Sequence, residues 1–163
     1  MECPLTPDDS PLVARVLALL ADNQVDHRVL RHEPVLTSEQ AAAVRGTPLE
    51  DGAKALVCHA DDRLVLIVVP ANLRLDTRAF KSAYGVKNLR MAGAEEVEAL
   101  GAVPGGVPPF GSAMGLPTYA DEGLARRETL SFNAGSRTTS VIVAAADYLR
   151  IEQPAVGRFA TAT

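Results

Sequence analysis

Eleven residues in the second half of the chain, Gly101-Ala-Val-Pro-Gly-Gly-Val-Pro-Pro-Phe-Gly111, hold four glycines and three prolines. Neither helix nor strand persists through such a run, because proline fixes φ and lacks an N–H while glycine frees the backbone. A stiff loop with bare N–H groups suits a carbonyl or a developing oxyanion, since such donors need no reorganisation during a reaction. A tight structural crossover is the other reading of the same residues. A phosphate-binding P-loop is excluded, because no Gly-Lys-Ser/Thr follows the glycines, and the dinucleotide-binding fingerprint is absent as well.

The rest of the chain reads as short elements. Ser10-Pro11 looks like a cap and a first-turn proline, followed by Leu12, Val13, Val16, Leu17, Leu19 and Leu20 at helical spacing, which predicts a helix over 11–22. Residues 27–31 read as a strand. Thr37 with Gln40 fits a capping box and Gly46 a helix stop, so a short helix is expected over AAAVR. Lys54–His59 and Leu64–Val69 read as a hairpin around 60–63, and the nearly all-aliphatic second run suits a strand covered on both faces. Asp76 caps a helix reaching Tyr84, with Gly85 as its stop; 89–91 reads as a strand and 94–100 as an acidic helix. Beyond the loop, 129–133 and 138–144 read as a second hairpin, and 147–150 starts a last helical turn. The expected domain is 11–152, with flexible ends at 1–10 and 153–163. Strands and helices intermix without regular alternation, so the fold class is α+β: a mixed, barrel-like sheet surrounded by short helices.

Composition narrows the classes of function. Hydrophobic residues make up 47% of the chain and aromatics only 4%, with no Trp, so the core is expected from small and branched aliphatics. No apolar run approaches the roughly 20 residues that span a bilayer. The N-terminus lacks signal-peptide character, and a cytoplasmic location away from membranes is expected. A net charge of −4 argues against broad binding to DNA or other nucleic acid, while leaving room for a local grip on one RNA end. Arg126-Arg127 and Lys87 with Arg90 are candidates for phosphate contact, although scattered cations are more often solvated surface. Cys3 and Cys58 are too few for a disulfide framework, and Cys58 in ALVCH is expected to be a buried thiol. His27, His32 and His59 share no metal-ligand spacing, so neither metal nor cofactor is expected. The adjacent Asp121 and Glu122 read as structural or solvated, not as a catalytic pair.

Lys54 opens an aliphatic strand after a Gly-Ala pair, where its ammonium can point into a pocket toward a carboxyl, ester carbonyl or phosphate oxygen. A surface lysine at a strand start is the commoner case for that position taken alone. Taken together, His32-Glu33-Pro34 with Thr37, Lys54-Ala55-Leu56-Val57, the Gly101–Gly111 loop, Leu116-Pro117 and Phe132-Asn133-Ala134-Gly135 resemble the YbaK-like proteins and the editing domain inserted in bacterial prolyl-tRNA synthetases. These motifs occur in the family's order and span roughly 12–150. The lysine followed by Pro-Gly-Gly-Val-Pro-Pro-Phe-Gly is more specific than either part alone.

The resemblance implies a trans-editing hydrolase that deacylates mischarged aminoacyl-tRNA, with a pocket for the aminoacylated 3′ adenosine. It implies no protein nucleophile: an aminoacyl ester is already activated, and positioning with oxyanion stabilisation can suffice, with water or a ribose hydroxyl assisting. Carried over residue by residue, it gives Lys54, Gly101, Gly105 and Gly106 the catalytic roles. Substrate contact falls to His32, Thr37, Val107, Pro108, Phe110, Asn133, Gly135 and Ser140. The implied partner is the 3′ end of aminoacyl-tRNA, with room for transient contact with a synthetase. An uncharged pocket of this kind is expected to accept small aminoacyl groups. Cysteine-clearing relatives often carry an acidic residue where Ser140 stands. Alanine-clearing relatives often show Lys-Asn and His-Pro where this chain has Lys54-Ala55 and Phe132-Asn133. The amino acid therefore stays open, as do two other functions: a binding module without turnover, and a hydrolase of small acyl esters that does not act on tRNA.

Overall fold

The computed structural model describes residues 10–162. Cys3 and the expected flexible segment up to Asp9 lie outside them.

The early elements follow local chemistry. In α1 (Pro11–Asp22) the Ser10 hydroxyl accepts the Val13 N–H, and Leu12, Val13, Val16, Leu17 and Leu20 turn inward. After β1 (His27–Arg31) comes α2 (Ser38–Arg45), where both halves of the Thr37–Gln40 capping box form and Gly46 ends the helix at φ +68°. A 3₁₀ turn at Leu49–Asp51 leads into β2 (Ala53–Ala60) and β3 (Arg63–Pro70). Their register pairs Ala60 with Arg63, so the hairpin closes on Asp61-Asp62 alone, with Asp61 at φ +56°. There follow β4 (Leu73–Leu75), α3 (Thr77–Tyr84), β5 (Leu89–Met91) and α4 (Ala94–Ala99). Past the glycine–proline loop lie β6 (Thr118–Asp121), α5 (Glu122–Ala125), β7 (Thr129–Asn133), β8 (Thr139–Ala144) and α6 (Ala145–Glu152). The chain then forms β9 (Ala155–Gly157) and β10 (Ala160–Ala162).

The fold is α+β, and its strands fall into three sheets ordered β5-β2-β3-β6-β9, β1-β8-β7 and β10-β4. The first is mixed: β2 runs antiparallel to β3 and β5, while β6 is parallel to both β3 and β9. A parallel bridge between Gly52 and Ser131 ties the start of β2 to β7, and no closed barrel forms among the described strands.

The expected flexible tail at 153–163 is corrected by the structure, which carries β9 and β10 there. Asp121 supplies the physical reason: its carboxylate accepts the N–H groups of Phe159 (2.8 Å) and Ala160 (2.9 Å). Phe159 is 1% exposed. It packs edge-on to Phe80 with ring centroids 5.2 Å apart, beside Tyr84 and Tyr119. The sheet thus has a core on each face. Leu66 and Val68 of β3 enter the larger one with α1, β7 and β8, while Val65, Ile67 and Val69 face the aromatic cluster. The all-aliphatic reading of β3 corresponds to a strand covered on both sides.

Candidate active site

Between α2, the first residues of β2 and the glycine–proline loop lies a half-open cavity of about 340 Å³. Gly52 lines it and packs closely on Ala71, since a Cβ there would stand 2.8 Å from the Cβ of Ala71. Small residues, Ala41, Ala42, Ala53 and Ala55, form much of the wall, and no carboxylate is among the lining residues.

The loop borders this cavity through Pro104, Gly105 and Val107. Its shape is held from the β7–β8 hairpin: Arg137 Nε donates to the Pro104 carbonyl at 2.8 Å and Asn133 Nδ2 to the Gly105 carbonyl at 2.7 Å. The Gly106 N–H closes a turn onto the Val103 carbonyl at 2.9 Å. Gly105 sits at φ +81°, a left-handed conformation that glycine adopts without strain. With both carbonyls taken, the N–H groups of Gly105 and Val107 have no acceptor among the described residues. Both residues border the cavity, and a donor on a fixed backbone is what oxyanion stabilisation requires.

Lys54, half-buried in β2, also lines the cavity, and its ammonium donates to the Leu73 carbonyl at 2.9 Å. Burial lowers its pKa from the ordinary lysine value, and Glu39 on α2 acts in the opposite direction. Thr37 and Asn133 line the cavity too. Lys54, Gly105, Val107, Thr37 and Asn133 are thus brought together.

The other residues singled out in the sequence stand elsewhere. Gly101 is exposed, and a Cβ on it would approach Arg15 and Leu12 of α1. Gly106 and Pro108 are buried inside the loop. Phe110 is fully buried, edge-on to Phe132 (5.4 Å) and Tyr148 (5.2 Å). Gly135 packs against Leu12 and Val13. Ser140 is fully buried one layer behind the wall, where the His32 Nε2 lies 2.7 Å from its Oγ. Arg126 and Arg127 pair with Glu122 (2.9 Å) and Asp51 (2.7 Å). Asp121 anchors the C-terminal strands, as a structural reading of that carboxylate expects. Cys58 is buried, and burial pushes its thiol up to about 11, which makes it a poor nucleophile at neutral pH.

Among the lining residues that the sequence reading did not single out are Arg45 and its partner Ser131. Arg45, 8% exposed at the end of α2, donates from Nε to Ser140 Oγ (2.9 Å), from Nη1 to Ser131 Oγ (3.3 Å) and from Nη2 to Asn133 Oδ1 (3.0 Å). Its position before Gly46 reads as an ordinary cation at a helix C-terminus. The available signal was its spacing: Arg45 follows the buried Ala41 by four residues and so shares its inward face.

Two cations and no carboxylate line this cavity, which lies in an α+β domain. Residues 32–151 match the model of the aminoacyl-tRNA editing domain, and the chain belongs to that family. It is 39% identical over 151 residues to the multifunctional Ser/Thr-tRNA deacylase ProXp-y of Escherichia coli K12, covering 89% of this chain and 90% of the relative. A 99-residue stretch is 37% identical to proline--tRNA ligase of Shouchella clausii, 60% of this chain against 17% of the ligase. Among solved structures, one put forward as a trans-editing enzyme for prolyl tRNA synthetase superposes with a TM-score of 0.82 at 26% identity, covering 94% of this chain and 99% of the other.

Proposed function

We propose that the chain is an aminoacyl-tRNA deacylase that hydrolyses small aminoacyl esters on the 3′ adenosine, with seryl and threonyl esters as its principal substrates. The observation that carries this reading is the meeting of Lys54 with the unpaired N–H groups of Gly105 and Val107 at one small-walled cavity. Similarity to the Ser/Thr-tRNA deacylase over nearly the full length of both chains supports the ester class and the amino acids.

In this reading the acyl group enters between α2 and β2, and the ester carbonyl lies against the loop. Water attacks the carbonyl carbon; the Gly105 and Val107 donors take up the charge that develops on the carbonyl oxygen. The C–O bond to the ribose then breaks as the proton given up by the attacking water passes to the ribose oxygen, releasing the amino acid and the uncharged tRNA. Lys54 anchors and polarises the substrate's end. Because Leu73 fixes the ammonium, its position does not have to be found during the reaction. Thr37 and Asn133 border the acyl group.

Initial rates on seryl-, threonyl-, alanyl-, cysteinyl-, prolyl- and phenylalanyl-tRNA, with the matching free esters alongside, test the reading. Seryl and threonyl esters are expected to turn over fastest, other small ones more slowly and phenylalanyl hardly at all. A preference for phenylalanyl ester would refute the pocket. Equal turnover of free esters and tRNA esters would remove tRNA from the function.

A further inference from the structure

Arg45 is a buried cation whose protein partners are all neutral. Its guanidinium has five N–H donors. Three of them go to Ser140, Ser131 and Asn133, and the other two have no partner among the described residues. Burial without a counter-charge disfavours the protonated form, and its pKa falls to about 10. The surroundings are nevertheless built around it. Ser140 also meets His32, Thr47 Oγ1 lies 3.4 Å from Ser131 Oγ, and Asn133 passes the contact on to the Gly105 carbonyl. Arg45, Ser131 and Asn133 all line the cavity, whose other lining residues are mostly alanine, valine and glycine.

We infer that Arg45, with Ser131 and Asn133, forms a polar corner that receives the side-chain hydroxyl of a seryl or threonyl ester and so sets the enzyme's amino-acid specificity. This deepens the deacylase reading above and rests on it. A hydroxyl is the matching group. Its oxygen accepts from a free Arg45 N–H, and its proton goes to Ser131 Oγ or Asn133 Oδ1. Alanyl and valyl groups leave those donors unpaired in a buried corner, and a site built to bond a hydroxyl discriminates against analogues lacking it far more strongly than packing alone. Through Asn133 and the Gly105 carbonyl, the corner is also joined to the loop carrying the proposed oxyanion donors. A correctly seated side chain is therefore coupled to the reacting carbonyl. Arg45 is a positioning residue in this scheme, remote from the bond that breaks.

Threonyl and valyl esters have nearly the same shape and differ in the hydroxyl, so their kcat/KM ratio is the readout. Wild-type protein is compared with Arg45→Met, Arg45→Lys and Ser131→Ala, with thermal melting as the folding control. Affinity for uncharged tRNA is measured in parallel. Arg45→Met is expected to lower the threonyl-to-valyl ratio at least tenfold, mainly by slowing the threonyl ester, and to leave uncharged tRNA binding unchanged. Ser131→Ala should move the ratio in the same direction, and Arg45→Lys should recover part of it. If Arg45→Met does not fold, the other two variants carry the same test. An unchanged ratio with equal loss on both esters overturns the assignment. Loss of uncharged tRNA binding instead makes Arg45 a phosphate contact and likewise overturns it. Failure of the wild-type protein to hydrolyse any of the esters is a separate result, and it removes the deacylase reading itself.

Discussion

At Lys54, burial works against the charge that the proposed chemistry uses. Its pKa is lowered in the folded protein, so between that value and the ordinary lysine value the unfolded chain binds more protons. Stability therefore rises with pH across that window, and the full penalty is present at neutral pH. Lys54→Met should then keep or raise Tm while cutting seryl-tRNA deacylation at least tenfold, about 1.4 kcal/mol of transition-state stabilisation. Wild-type turnover in the folded variant would remove Lys54 from the mechanism. This residue was singled out in the sequence through the family resemblance, because the position taken alone reads as a surface lysine at a strand start. Arg45 was not, because a cation in the last turn of a helix has an ordinary explanation and its partners on β7 and β8 are more than 80 residues away in sequence. Phe110 misled in the opposite sense. It lies in a loop of unusual composition, yet its ring fills the core beside Phe132 and Tyr148.

Of the capped helices, α1 and α3 were read residue for residue and α2 three residues short at its start; Ser10, Thr37 and Asp76 each make the local hydrogen bond their sequence position suggests. Of the short strands β5 was read, while β4, β6, β9 and β10 were missed, since three or four residues carry little periodicity. What orders β9 and β10 is tertiary: the Asp121 carboxylate, which accepts the N–H groups of Gly123, Phe159 and Ala160. Asp121→Ala leaves buried donors unmet, each worth about 1–3 kcal/mol. Amide exchange across 155–162 should accelerate, with a fall in Tm, while α1 keeps its protection. Unchanged exchange in that segment would mean that Phe159 alone holds the tail.

On the scale of the whole molecule, the five-stranded sheet separates the cavity side from the aromatic cluster of Phe80, Tyr84, Tyr119 and Phe159. The two faces should fail separately. Phe159→Ala is expected to cost about 3–5 kcal/mol of stability, as truncation of a buried aromatic does. At a temperature where the variant stays folded, its kcat/KM on seryl-tRNA should remain within about twofold of wild type. A tenfold loss under those conditions would show that the aromatic side shapes the cavity. The mixed α+β character was legible from the run of short elements, but how the strands divide into three sheets was not, because pairing between β1 and β8 or β6 and β9 leaves no local mark.

In the proposed mechanism the loop that opens onto the cavity acts through main-chain atoms, and this bears on what a mutational survey can detect. Replacing Gly106 by alanine would drive a methyl to 2.7 Å from Val103 Cγ2, so the result would report collapse of the loop and nothing about its donors. Conventional side-chain scanning is therefore blind to this half of the machinery. Only exchange of a single peptide N–H for an ester oxygen, by semisynthesis at Gly105 or Val107, could weigh it directly.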